Sequence, residues 1–527
     1  MENRTQTTLQ FSLPADFDLE ELRREYGGRL SVHSCESSPV TLWDSFEWQL
    51  WFGDHVLLSS RGFYQLARRE GAWIGPEICR EPCPSAVPRL ACDFRLPVMK
   101  QKLGSLLGLR GLAPVGNAVM QCRWVELRDE SNNTLWRLES LEFAPEPNGS
   151  REAVRVCRIL PQPGSESAVP AVVRILEQNG AQPCLEGPLE MLLRGTKNYP
   201  RLYTLRPSFG LNPELPVRTA LEQIVRVMLG IMRENEAWIP GDIDTEFLHD
   251  YRICLRKIRS VLGLIKGVYP KSEVGKVRDT LGKLAKETNR LRDLDVYLLE
   301  RAHYTALLPP ALHGALWEMF ADFENERAAE VRKTVRRLRS SAHRRRMAEL
   351  EAFFDAESVH GVAPNADGPI GALVFGRIYK RFRKIRACSG ALQKDTPDEL
   401  FHEVRVECKK LRYLLEVFAE LSPGKELASA GKQLRRLQGY LGEFNDCSVQ
   451  QKFLLAYWRE TSVQSPKRSE VGLCVGALVA LLYRRQGKQR GGIQKALARF
   501  GGRETSANFK QAFKGSLLAE ASSVLDP

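Results

Sequence analysis

Cations at helical spacing occur twice in this chain, and they are the residues best suited to chemistry. The segment Leu248-His-Asp-Tyr-Arg-Ile-Cys-Leu-Arg-Lys-Ile-Arg259 has a counterpart 153 positions later, Phe401-His-Glu-Val-Arg-Val-Glu-Cys-Lys-Lys-Leu-Arg412. His249, Arg252, Arg256 and Arg259 step by three, four and three residues, which puts them on one face of a helix. His402, Arg405, Lys409 and Arg412 repeat the stripe, and Lys257 and Lys410 occupy matched places beside it. Side chains of this kind bind anions. A guanidinium grips phosphate oxygens bidentately, and an imidazole beside a polyanion is favoured in its charged form.

The apolar residues fix where such helices lie. Leu248, Tyr251, Leu255, Ile258 and Leu262 follow the same steps one residue earlier, as do Phe401, Val404, Cys408, Leu411 and Leu415 in the second copy. Each helix must bury that stripe, so its basic face borders a core and lines a groove or channel. The register holds without a gap from 248–298 to 401–451, pairing Pro270 with Pro423 and Asp293 with Asp446. Both aspartates are expected to orient arginines, since an unpaired carboxylate would repel an anion. A merely solvated face predicts mixed signs. Residues 377 to 386 instead hold Arg377, Lys380, Arg381, Arg383, Lys384 and Arg386 without an acid, and residues 327 to 346 hold nine Lys or Arg against Glu330. Like charges at this density repel, and a bound polyanion relieves the repulsion.

A chain of 527 residues, 43% hydrophobic, is long enough for two or three globular domains. Its net charge of +13 and pI of about 9.2 favour an acidic partner, whether polyphosphate, nucleic acid or an anionic membrane surface. Met1 to Leu9 lacks the apolar stretch of a secretory signal, so the twelve cysteines are expected to be reduced cytosolic thiols. Cys79, Cys83 and Cys92 lack paired zinc-site spacing, and neither a metal nor another cofactor is expected. The apolar run Val471 to Tyr483 is too short to span a bilayer and is expected as a buried helix.

Patterning changes near residue 200. Before it, β-rich runs at Phe46 to Phe52, Val119 to Leu127 and Thr134 to Phe143 alternate with turn signals, the last two reading as a hairpin across Asp129 to Asn133. A strand at Ala153 to Leu160 precedes a helix at Ala168 to Asn179, giving an α+β half with a mostly antiparallel sheet. Long helical periods dominate from Val217, and the proline-rich stretch 199–216 reads as a linker. The expected organisation is 1–198, linker, then an all-α domain at 217–520 with halves of about 217–355 and 370–510.

The doubled His-x-x-Arg-x-x-x-Arg/Lys-Lys-x-Arg helix, with Leu291-Arg-Asp-Leu-Asp-Val296 and its partner Phe444-Asn-Asp-Cys-Ser-Val449, resembles the CHAD (conserved histidine α-helical) domain across about residues 217 to 510. The resemblance implies an all-α bundle of two pseudo-symmetric halves around a basic cavity that binds inorganic polyphosphate, and a cytoplasmic protein associated with polyphosphate granules. Polyphosphate has no base edges, so a binder needs only regularly spaced cations.

The first 200 residues resemble the CYTH domain, a triphosphate tunnel fold, through Gln10-Phe-Ser-Leu-Pro14, Val40-Thr-Leu-Trp-Asp44, Leu57-Leu-Ser-Ser-Arg61 and Leu112-Ala-Pro-Val-Gly116. That family opens with Glu-x-Glu-x-Lys, whose glutamates hold a divalent metal. Here the matching positions are Gln6, Thr8 and Gln10. A later Glu-x-Glu falls near Arg155 and Cys157, and of an Arg-x-Arg pair Arg61 remains, opposite Ser59, with Arg68, Arg69 and Arg123 as further cations. Metal-dependent hydrolysis needs carboxylates to hold the cation that bridges substrate oxygens, so a non-catalytic protein is expected. Inorganic triphosphatase activity is one alternative. Nucleic-acid binding is the other, and it would need aromatics free to stack bases, whereas Tyr251, Phe401 and Tyr413 read as core or isolated residues.

Overall fold

The computed structural model describes residues 9–512 apart from 19, 27–28, 85–86, 145–152, 195–198, 391–395, 422–424 and 461–467. It divides into two compact units, Met1–Tyr203 and Thr204–Pro527.

The first unit is a 10-stranded antiparallel sheet. Its strands are β1 (Leu9–Ser12), β2 (Leu30–Ser34), β3 (Ser38–Ser45), β4 (His55–Ser60), β5 (Phe63–Glu70), β6 (Trp73–Pro82), β7 (Leu112–Arg128), β8 (Thr134–Ala144), β9 (Val154–Pro161) and β10 (Gln182–Pro183). They run in the order β10-β1-β9-β8-β7-β3-β4-β5-β6, with β2 also on β7. Five helices accompany them: α1 (Glu20–Tyr26), α2 (Gln49–Phe52), α3 (Pro97–Leu107), α4 (Val169–Gln178) and α5 (Pro188–Arg194). The pleat alternation sorts the side chains. Phe11, Val125, Leu127, Trp136, Leu138, Cys157 and Ile159 pack under Val169, Val172 and Leu176 of α4, while Val40, Leu42, Ala118 and Phe143 pack with Leu189 and Leu192 of α5.

The β7–β8 hairpin closes where expected, with Asp129 N–H donating to the Asn133 carbonyl at 2.9 Å and Asn133 N–H to the Asp129 carboxylate at 2.8 Å. The run Phe46 to Phe52 departs from expectation, for it holds α2 rather than a strand. Trp48 is left-handed at φ 59°, and the buried Asp44 carboxylate accepts the N–H groups of Ser45, Leu50 and Trp51 at 2.7, 2.9 and 2.9 Å. A carboxylate that satisfies the orphan donors of a helix start outweighs the strand preference of the aromatics.

The second unit is helical: α6 (Val217–Trp238), α7 (Glu246–Leu264), α8 (Lys271–Glu287), α9 (Asn289–Leu299), α10 (Arg301–Leu307), α11 (His313–Leu338), α12 (Ser341–Phe353), α13 (Ile370–Ala387), α14 (Asp398–Val417), α15 (Lys425–Glu460), α16 (Arg468–Phe500) and α17 (Arg503–Ala512). Two copies of one arrangement meet at a local pseudo-dyad. Pro216 bridges Pro369 antiparallel, Val217 N–H donates to Gly368 O while Ile370 N–H donates to Leu215 O, and Arg218 N–H donates to Ala366 O while Gly371 N–H donates to Pro213 O, all at 2.9 Å. Each member of each pair lies 153 residues from its mate, so the repeat extends upstream of the helices that reveal it. The halves also share a core, in which Leu294, Tyr297, Phe320 and Phe323 pack with Cys447, Leu454, Val475 and Leu478. The apolar run at 471–483 lies in α16 with Val471, Cys474, Val475, Leu478 and Leu482 buried, and among the described residues no helix is long and apolar enough to cross a membrane. Residues 204–216 are less free than a linker. Phe209 and Leu211 N–H groups donate to the Glu420 carboxylate at 2.6 and 2.9 Å.

Candidate functional site: a cationic cleft between the helical halves

Helix α7 begins where Asp244 accepts the N–H groups of Glu246 and Phe247 at 2.8 and 3.3 Å, a capping arrangement. Leu248, Tyr251, Leu255, Ile258 and Leu262 are all buried, each contributing about 1.5–3 kcal/mol by leaving water. The second copy buries Phe401, Val404, Cys408 and Leu411 in the same way, with Leu415 half-buried. Tyr413 is buried too.

Beside that face two adjoining clefts open, of about 730 and 1160 Å³. Arg256, Arg259, Gly282 and Lys286 line both. The smaller adds His249, Arg252, Arg292 and Asp293 from the first half and Asp446, Gln450 and Phe453 from α15. The larger adds Arg278, Asp279 and Lys283 of α8 and Val406 and Lys409 of α14. Eight Lys or Arg side chains thus face three aspartates. Among the described residues, the side chains of Arg256, Arg259, Lys283, Lys286 and Lys409 make no hydrogen bond or ion pair.

The arginines divide into anchored and open ones. Arg252 donates to Ala285 O at 2.9 Å, Thr288 Oγ1 at 2.6 Å and Asn289 Oδ1 at 2.8 Å. It thereby holds the break between α8 and α9, where the last carbonyls of α8 attract a cation. Arg405, its mate, faces the unbroken α15 and has Asp446 at 3.7 Å. Burial pulls the pKa of both guanidinium groups down against the pull of Asp293 and Asp446 respectively. Asp446 thus lies beside Arg405, while Asp293 attracts Arg252 without replacing its hydrogen bonds to Ala285, Thr288 and Asn289. Lys409 is pushed down to about 8 by burial and then by Arg405, Arg256 and Arg412, so its charge strains against the cations around it.

Several expected residues go elsewhere. Lys257 is buried away from the cleft and donates to Leu205 O at 2.5 Å. Lys410 and Arg381 both pair with Glu407, at 2.8 and 2.6 Å. Arg412 leans on Glu416 at 3.8 Å and over Tyr413, whereas Arg259 has Gly263 at the matching place. Arg377, Lys380 and Lys384 lie on α13 and are not among the lining residues. His402 approaches Asn445 Oδ1 at 3.3 Å. The basic run 327–346 draws its acids from distant sequence: Arg327 pairs with Asp242 and Asp295, both at 2.7 Å, and Arg346 with Glu287 at 3.0 Å. The cleft is accordingly built mostly from the first half.

Sequence reasoning missed Arg278, Lys283 and Lys286. Gly275, Asp279, Gly282 and Lys286 step by four, three and four along α8, which was the available signal. It also missed Tyr297 and Phe453, stacked on each other at 3.9 Å at the cleft wall with Arg290 over Phe453. Glu246, His249 and Asp250 bring three possible ligand atoms within 4.8 Å. Arg292 lies 3.9 Å from Glu246, and one helical turn gathers such groups without a metal.

In the sheet unit, Gln6 and Thr8 lie outside the described residues. Gln10 Oε1 accepts the indole N–H of Trp73 at 3.0 Å, joining β1 to β6 at the far end of the strand order. Gln10 pairs with Arg158 and Ser12 with Val156, so the residues sharing its face are Val156 and Arg158. Arg155 and Cys157 fall on the opposite face, one residue out of the expected register, and a one-residue slip exchanges the faces. Arg158 is buried, held by Glu139 at 2.7 Å and Glu70 at 3.3 Å over the Trp73 ring. Arg61 lies near Glu36, Arg69 on Trp51 and Asp54, and Arg123 on Gln121.

The CHAD domain family model matches residues 223–455. Two uncharacterized proteins of Mycobacterium tuberculosis, from strains CDC 1551 and H37Rv, are each 26% identical over 212 residues. The match covers 40% of this chain and 40% of each relative, so it spans well under half of the curated relatives' length. Among solved structures, the CHAD domain from the plant Ricinus communis aligns with a TM-score of 0.47 at 23% identity, over 55% of this chain and 95% of that one. PptA from Streptomyces chartreusis aligns at 0.39 and 16%, over 53% and 99%. The N-terminal antiparallel sheet fits a CYTH-like tunnel fold. With the doubled cationic helix, the pseudo-dyad and the matched span in agreement, residues 223–455 are a CHAD domain.

Proposed function

We propose that the helical unit binds inorganic polyphosphate in the cationic cleft without cleaving it, and that this binding carries the protein to polyphosphate granules. The observation that carries the reading is the set of unpartnered cations around Arg256, Arg259 and Lys409 in a cleft with only three acids. Such a set costs self-repulsion in the free protein, and a polyanion removes that cost while releasing its own counterions. A chain of phosphates suits a track of donors that offers nothing to read a base. The two aromatics lining the cleft among the described residues, Tyr297 and Phe453, stack on each other, which favours a phosphate chain over stacked bases there.

The sheet unit is read as non-catalytic. The amide of Gln10 is bound to Trp73, and the cation on its face, Arg158, is neutralised by two glutamates. The test is a titration with long-chain polyphosphate at near-physiological salt, with duplex and single-stranded DNA as competitors at matched charge. Binding that DNA does not displace is the expected result; equal displacement would overturn the reading in favour of generic polyanion attraction.

A further inference from the structure

We infer that the helical unit has a second anion site, between α15 and α16, that takes a short condensed phosphate independently of the cleft. A cavity of about 350 Å³ lies there. Lys432 and Arg436 enter it from α15, and Lys495 and Arg499 from α16. Each pair is spaced i, i+4 and so shares one face of its helix, an arrangement that costs stability when the charges are alike. No acid lines the cavity, and none of the four cations makes a hydrogen bond or ion pair among the described residues.

The same helix pair also carries an acid, away from the cavity. Further along, Arg485 meets Glu443 at 3.4 Å and Gln489 donates to Glu443 at 2.8 Å. Glu443 thus opposes charge at that level of the pair, whereas no acid reaches the cavity.

The remaining lining residues define the ligand. Gln433 Oε1 accepts from Thr505 Oγ1 at 2.8 Å, which leaves the amide nitrogen as its donor without a partner among the described residues. The Tyr440 ring lies against Gly492 so closely that an added Cβ there would be 2.6 Å from it. A ring face spent on backbone is not offered to a base. The site thus presents donors and positive charge, no carboxylate and no stacking surface, in a volume at the small end of the roughly 300–1,000 Å³ of ordinary ligand pockets. That selects a short chain of phosphates over a nucleotide. Arg436 and the cleft residue Asp446 are ten positions apart on α15, about 15 Å along its axis, so the two sites are distinct.

Calorimetric titration of the full chain with inorganic tripolyphosphate tests this. Two binding events are expected. K495E/R499E should abolish one with helicity unchanged, R256E/R259E should weaken the other by roughly tenfold or more, and the charge-neutral K495Q/R499Q should weaken the first by roughly tenfold or more. If K495E/R499E and K495Q/R499Q both bind as wild type does, the second site does not exist, even where the cleft variant fails to bind. A single event lost only in K495E/R499E would uphold the second site and overturn the cleft.

Discussion

Reversing Arg256 and Arg259 is the sharpest perturbation of the cleft, because both line its two parts and neither holds a hydrogen bond or ion pair among the described residues. A charge-assisted contact contributes about 1.5–3 kcal/mol when desolvated. The cleft is open to water, so about half of that is retained, and losing two contacts weakens binding by about 1.5–3 kcal/mol, roughly 10- to 150-fold. Salt gives a second readout. Each phosphate neutralised on a flexible single-stranded polyanion adds about 0.7 to the slope of log K against log salt, so R256E/R259E should flatten that slope by about 1.4. Fluorescence anisotropy with end-labelled polyphosphate at four salt concentrations reads both. An unchanged slope and affinity in a variant with wild-type circular dichroism would refute the cleft as the binding site.

Four further outcomes are expected. Arg252→Ala removes three hydrogen bonds at the α8–α9 junction and should cost about 2–4 kcal/mol in urea unfolding, whereas Arg405→Ala, with one partner at 3.7 Å, should cost less than about 1 kcal/mol; equal losses would refute the anchoring role. Lys409, held at about 8 in the free protein, is charged below that pH, and a bound polyanion raises its pKa, so polyphosphate affinity should be flat below pH 8 and fall above it. Lys409→Met should abolish that fall, and a wild-type profile in this variant would sink the assignment. Wild type and Gln10→Lys should release no phosphate from tripolyphosphate with Mg2+ or Mn2+ in a malachite green assay; release by wild type would overturn the non-catalytic reading. Arg158→Ala should lower stability by about 2–3 kcal/mol in a thermal melt, since it strands Glu139 and Glu70.

Legibility in the sequence followed the range of the forces involved. The apolar stripes of α7 and α14 and the β7–β8 hairpin were readable because helix pitch, pleat and turn chemistry act over a few residues. Asp44 defeated the same reading at α2, since one side chain reached six and seven residues onward to cap a helix start. The cleft was legible as a stripe but not as a set. Periodicity places Arg252 and Arg259 on one face, yet nothing local shows that Arg252 would be absorbed by the α8 carbonyls, or that Lys410 would find Glu407. The run 327–346 misled for the same reason, since Asp242, Asp295 and Glu287 arrive from other helices. Charge counts along a sequence miss neutralisation across space.

The repeat also explains why one half dominates the site. Backbone pairing at Pro216 and Pro369 is symmetric, with its four hydrogen bonds all at 2.9 Å, so the two copies of the cationic helix start from equivalent scaffolds. What separates them is a few side chains. Gly263 gives Arg259 no local carboxylate, and Glu416 gives Arg412 one; Cys254 gives Lys257 none, and Glu407 holds Lys410. The junction at Thr288 ends α8 and engages Arg252, while α15 runs on past the matching position and leaves Arg405 to Asp446. Helix geometry therefore supplies two cationic stripes, and the placement of acids decides which remains open. Introducing Glu at position 263 should close the open one: a Gly263→Glu carboxylate one turn from Arg259 competes for it as Glu416 does for Arg412, weakening polyphosphate binding without altering the fold. Unchanged affinity in that variant would show that local acids do not set the asymmetry.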